Sequence, residues 1–218
     1  MIPRAVAADG PAAMPGPDAE LVACLDVEGL DQTRALVRVR EHLANGANPS
    51  SKDNFGSTAL HRAARLGYVD AGRALIDAGA DLSAEDNWGS TPLSLAARER
   101  SAELVNLLID AGSNLNAVSA RANGVRPLFF AAPEMVSVLV ARGADIEAVN
   151  AHGRSPLALT CEHIHTQSGP KEKQLFKDKA LALIQAGAQV DFRNPFQLER
   201  DGDTLLRNAC ENHEADVA

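Results

Sequence analysis

Aromatic side chains are scarce in this chain: they make up 4% of its 218 residues, although 45% of the residues are hydrophobic. A core organised around large rings is therefore excluded. The abundance of alanine suits a structure in which backbones approach closely. Cysteine is also sparse. Cys24, Cys161 and Cys210 are too few and too scattered for a disulfide framework, so a reducing, cytoplasmic setting is expected. No run of about 18 apolar residues exists, so no membrane insertion is expected. Positive charge is short as well. Lys and Arg number 21 against 29 Asp and Glu, a net charge of −8, which argues against a phosphate-tracking surface and hence against nucleic acid as a partner. Residues 1–17, MIPRAVAADGPAAMPGP, hold only a short apolar patch among Pro, Gly and Ala. They lack the apolar centre of a signal peptide and read as a disordered leader.

Catalytic signatures are missing too. There is no G-x-x-x-x-G-K-[ST] phosphate loop, G-x-S-x-G elbow or G-x-G-x-x-G fingerprint. His213-Glu214-Ala215-Asp216 fails as a zinc-protease motif, because Val217 stands where a second His is needed. Residues 199–203 lack the ligand spacing and the final carboxylate of a calcium loop. Cys161-Glu162-His163-Ile164-His165 has the composition of a metal site, but side chains two apart on a helix diverge. The reading preferred here is a buried thiol followed by exposed helix-end histidines. Lys171, Lys173, Lys177 and Lys179 are interrupted by Glu172 and Asp178 and read as a solvated helix face. No turnover, no metal and no cofactor are expected.

What the chain has instead is repetition. GSTALHRAARLGY, beginning at Gly56, is echoed 33 residues later by GSTPLSLAARERS, beginning at Gly89. A period of roughly 20–50 residues is the mark of a repeat architecture. Residues 53–85 and 86–118 align without a gap, each ending its second helix in IDAG. Residues 119–149 keep RPLFFAA and ARGADIEA but have lost about four residues between them. Residues 150–193 run from NAHGRSPLAL to LIQAGAQVDF with an insertion of about eleven residues around residues 165–174. Residues 194–218 form a partial last unit, and residues 18–52 a first one with helices expected over Ala19–Val27 and Thr33–Ala44.

Local chemistry supports the register. Thr58 and Thr91 are placed as helix N-caps, and Pro92, Pro127 and Pro156 open first helices, where a missing N–H is harmless. Gly79, Gly112, Gly143 and Gly187 stand where second helices should end in a left-handed residue. Leu60, Leu93, Leu128, Leu157 and Leu206 recur as the anchors of first helices. The pairs Ala63-Ala64, Ala96-Ala97, Ala131-Ala132, Thr160-Cys161 and Ala209-Cys210 hold one slot where bulk would force neighbours apart. Each unit is too small to bury its own apolar face, and stacking is the remedy.

These phrases resemble the ankyrin repeat, with its T-P-L-H-x-A-A helix start and its L-L-x-x-G-A end. The first is carried by Thr58-Ala59-Leu60-His61-Arg62-Ala63-Ala64 and Thr91-Pro92-Leu93-Ser94-Leu95-Ala96-Ala97. The second is carried by Leu75-Ile76-Asp77-Ala78-Gly79-Ala80 and Leu108-Ile109-Asp110-Ala111-Gly112-Ser113. The resemblance runs from about residue 19 to 218. It implies an all-α solenoid of about six helix-turn-helix units joined by β-hairpin-like loops, with atypical caps at both ends. It also implies a non-catalytic scaffold that binds a partner protein through loop tips and first helices. On that surface the candidate contacts are Asn54, Phe55, Ser57, Arg65 and Leu66, then Asn87, Trp88, Ser90, Arg98 and Glu99. Ala151, His152, Arg154, Glu162 and His163 continue the series. Trp88 and Phe55, at equivalent tips and flanked by Arg98 and Arg65, have the composition of an interface hot spot. The alternative is that each ring simply packs on its neighbouring tip. Two other readings of the whole chain stay open: the recognition module of a larger enzyme, toxin or effector, acting in a host cytoplasm in the last case, and a metal or small-ligand protein using residues 161–165.

Overall fold

The computed structural model describes residues 17–25, 30–165 and 169–189. Ten helices occupy these residues, in five antiparallel-style pairs: α1 (Pro17–Ala23) with α2 (Gln32–Ala44), α3 (Ala59–Leu66) with α4 (Val69–Asp77), and α5 (Pro92–Arg98) with α6 (Ala102–Asp110). They continue as α7 (Pro127–Phe130) with α8 (Pro133–Ala141) and α9 (Pro156–His165) with α10 (Pro170–Gln185). First helices stack on first helices, α1 on α3, α3 on α5 and α5 on α7. Second helices do the same, α2 on α4 and α4 on α6. The result is an all-α, repeat-like helical solenoid. The partial last unit expected over 194–218, with Leu206 and the Ala209-Cys210 pair, lies outside the described residues, as do residues 1–16 and Val27.

The repeated residues do the jobs their chemistry suggests. Thr58 Oγ1 accepts from the His61 backbone N–H, and Thr91 Oγ1 from that of Ser94. Pro92, Pro127 and Pro156 each stand at the first position of a helix. Leu60, Leu93, Leu128 and Leu157 are buried, together with the small pairs from Ala63-Ala64 to Thr160-Cys161. Burying one such leucine contributes about 1.5–3 kcal/mol, so the anchors supply much of the stacking energy.

The connecting loops are hairpin-like turns without strands; among the described residues no strand occurs. In each tip one side-chain oxygen organises the turn. Asp53 Oδ1 accepts from the N–H groups of Phe55 and Ser57, Asp86 Oδ1 from Trp88 and Ser90, and Asn150 Oδ1 from His152 and Arg154. Neighbouring tips touch through single backbone bonds, Asn87 N–H to Phe55 O at 2.9 Å and Ala151 N–H to Asn123 O at 2.8 Å. That is too little pairing for a ladder. Gly89 makes the close approach possible: at φ 76° it takes a left-handed turn, and a Cβ there would meet the Ala122 backbone nitrogen at 2.9 Å.

The irregular units are where structure departs from expectation. The shortened unit leaves α7 with four residues, after which Pro133 opens α8. A helix would have satisfied the Phe129 carbonyl with the N–H four residues on, but that residue is Pro133, which has none. Lys179 repairs the gap: its Nζ donates to Phe129 O at 2.7 Å from 50 residues away. Lys179 is buried, so it does not belong to the solvated lysine face expected from the sequence. Burial pushes its ammonium down to about 8. A second repair joins the same unit to its predecessor, where the Ala132 N–H donates to Ala97 O at 3.1 Å. The expected loop insertion around residues 165–174 is largely helix instead. From Pro170 onward it extends α10 to 16 residues, against nine in α4, α6 and α8.

Candidate functional site

The expected contact residues fall into three groups in the structure. Ser57, Arg65, Trp88, Ser90 and Arg98 line one cleft between the second and third helix pairs, on the side of the tips and first helices. His61, Arg62, Asp86 and Leu95 complete its lining. Phe55 and Trp88 form a ledge beside it. The rings stack across adjacent tips with centroids 6.0 Å apart and planes inclined by 20°. They pack on each other and still stand open to solvent, Phe55 at 54% and Trp88 at 62%. The stacking matches the alternative reading, in which each ring packs on its neighbouring tip.

The second group is near the cleft without lining it. Asn54 and Asn87 are exposed and joined by a hydrogen bond from Asn87 Nδ2 to Asn54 O, 3.2 Å. Leu66 is exposed, and Glu99 accepts from Arg98 Nε at 3.0 Å. The third group, His152 and Arg154, sits two units further along, with Arg154 paired to Glu162. It is not part of this cleft. Ser57 and Ser90 require a correction: they are only 7% and 4% exposed. Their N–H groups are held by Asp53 and Asp86, so both serines form the floor and do not stand out as surface contacts.

The cleft is rigid at its base. His61 is fully buried, its Nδ1 accepting from Thr58 N at 3.1 Å and its Nε2–H donating to Ser90 O at 3.0 Å. Burial lowers its pKa, so the ring is held neutral and bridges two units. Arg62 Nη2 donates to Asp53 Oδ2 at 2.7 Å. Burial alone would raise the Asp53 carboxyl, but Arg62 and the Ser57 and Phe55 N–H groups outweigh it and hold it below the usual carboxylate range. Arg65 and Arg98, at equivalent positions, are the exposed arginines of the wall. Sequence reasoning found these two but missed Arg62 and Leu95. The signal was available, since each lies three residues earlier on the same helix face.

The cleft encloses about 270 Å³. The metal-like segment is committed elsewhere. Cys161 is buried in the core, which pushes its thiol up to about 11. The His163 ring stacks on Phe176 with centroids 5.2 Å apart and bonds Leu159 O through Nδ1 at 2.8 Å. Among the described residues no group of three His, Cys, Asp or Glu is placed to hold a metal ion. Among them, too, no helix is long and apolar enough to cross a membrane.

Comparison with known families agrees with the helix pairs. The family model of ankyrin repeats, in its three-copy form, matches residues 34–119. Residues 34–119 are ankyrin repeats. The match runs from within α2 through α6 and takes in every residue of the cleft, and it covers less than half of the chain, where the resemblance in the sequence ran from about 19 to 218. The ankyrin fold is a non-catalytic scaffold used in protein–protein interaction. No curated protein matches the chain.

Proposed function

We propose that this chain binds a partner protein through the tip and first-helix side of its ankyrin units, reversibly and without turnover. The observation that carries the reading is the open Phe55–Trp88 ledge beside the arginine-walled cleft. Exposed aromatics next to arginine are the residue types that dominate interface energetics. Two stacked rings in neighbouring units present one continuous apolar face, while the core beneath is already filled by Leu93, Leu104 and Leu108. The setting proposed is cytoplasmic, in keeping with the burial of the Cys24 and Cys161 thiols in the core.

The test compares the intact chain with Trp88→Ala as baits for extracts of the source organism, with bound proteins quantified by mass spectrometry. The expected outcome is a partner retained by the parent and depleted by the variant, with affinity weakened by about 2 kcal/mol. Thermal melting should be nearly unchanged, because Trp88 stands outside the core. Full retention by Trp88→Ala would move the interface off this ledge.

A further inference from the structure

The face around the cleft is electrically balanced, on a chain whose net charge is −8. Arg62, Arg65 and Arg98 stand against Asp53, Asp86 and Glu99, each in the cleft wall or bonded to it. The deeper charges are committed internally. Arg62 donates to Asp53, and Asp86 Oδ1 is engaged by the Trp88 and Ser90 N–H groups. At the rim the two signs lie side by side in the open. Arg98 and Glu99 are neighbours with side chains 47% and 39% exposed. Two residues on, Arg100 meets Glu134 at 3.4 Å, with side chains 55% and 58% exposed. Such exposed pairs contribute little within one chain and exchange partners readily. Beside them the Phe55–Trp88 ledge stands open to solvent, next to the recess of the cleft.

A strongly acidic or basic partner would leave one sign of this set unmatched. A patch that carries both signs side by side, with a ledge beside a recess, complements a copy of itself turned about a two-fold axis. We infer that the occupant of this face is a second copy of the chain. The Phe55–Trp88 ledges lie at the centre of the contact, and Arg98 of each copy pairs with Glu99 of the other. The inference rests on the binding-face reading above and names the partner. Local neutrality matters because two chains of net charge −8 repel each other, and contact forms where that repulsion is least. The rings supply the apolar centre. An aromatic side chain buries about 150–250 Å². With each ring roughly half exposed, four of them at the axis would withdraw about 300–500 Å² from water. That is about a quarter of a standard interface. The charged rim around it sets which partner fits.

Sedimentation velocity of the full chain, from about 1 to 300 µM, reads the association directly. The expected result is a monomer–dimer equilibrium that Trp88→Ala weakens about 30-fold or more. Arg98→Glu and Glu99→Arg should each weaken it about tenfold, because every copy then meets like charge across the axis. Mixed together, these two charge variants should form a heterodimer at least about tenfold tighter than either variant alone, an advantage that high salt erases. All three side chains are exposed, so melting curves should match the parent. A chain that stays monomeric throughout overturns the inference and leaves the binding face standing for a different protein. A dimer indifferent to Trp88→Ala also overturns it, as do charge variants that pair no better when mixed. The binding-face reading falls separately, when Trp88→Ala retains every protein that the parent captures from the extract.

Discussion

Replacing Lys179 by Met separates two opposing effects that the structure puts on one side chain. Methionine keeps most of the apolar stem but cannot donate to Phe129 O, and an unsatisfied buried carbonyl costs about 1–3 kcal/mol. Against this, the lysine itself is held in a setting that disfavours its charge. Its pKa is lowered from 10.5 to about 8, and the unfolded chain keeps the ordinary value. Below pH 8 lysine is protonated in both states, and the folded state bears the full penalty. Between pH 8 and 10.5 the unfolded chain binds more protons, so stability rises with pH across that window. At 1.36 kcal/mol per unit, the rise attributable to this group is about 2–3 kcal/mol. Other titrating groups also change stability there, but they are common to parent and variant. Denaturant unfolding of both proteins, at intervals from pH 7 to 10.5, therefore isolates the contribution of Lys179. The parent should gain about 2–3 kcal/mol relative to Lys179→Met on going from pH 8 to 10.5. A difference that stays flat with pH would refute the reasoning, since the amine would then not be buried as described.

Two other substitutions probe the stacking. Gly72 lies in α4, and a Cβ there would come within 2.8 Å of Leu104 Cδ1 in the next unit. Gly72→Ala should therefore destabilise the parent by up to about 2 kcal/mol, but stabilise a Leu104→Ala background by about 0.5–1 kcal/mol through helix propensity; chemical denaturation of the four proteins checks the reversal. The buried, neutral His61 should make stability fall as pH drops below 6.5, because the unfolded chain then takes up a proton that the folded ring resists. His61→Phe, which places at this position the residue the chain already carries at 129, should remove that part of the slope in melting experiments between pH 7 and 5.

The regular part of the fold was legible in the sequence because each signal was local and repeated. A threonine before a helix, a proline at its first position and a glycine at its end act within one turn. Their recurrence fixed the register across units 53–85 and 86–118. The cleft was legible at its rim for the same reason: Arg65, Arg98, Phe55 and Trp88 occupy equivalent places. Its floor was not, because Ser57 and Ser90 have rim-like positions in the repeat but turn inward once Asp53 and Asp86 capture their N–H groups. Lys179 was misread for a different reason. It lies in a run of lysines that looks solvated, and its true partner exists only because a deletion and Pro133 left a carbonyl bare in the preceding unit. No periodic pattern encodes such a pairing, which depends on two irregularities meeting in space.

That pairing changes how the solenoid comes apart. Repeat proteins ordinarily fray from an end in small steps, since each unit leans only on its neighbours. Here α10 cannot peel away alone. Its departure would strip the donor from Phe129 O and leave α7, only four residues long, without the contact that closes its last turn. Lys179 thus couples α10 to α7, and amide exchange in these two helices should share an opening step. The unit at 86–118 is tied to α7 in turn, through the Ala132 N–H to Ala97 O bond. Opening at the far end would therefore release the Ala97 carbonyl, one residue from Arg98 in the cleft wall.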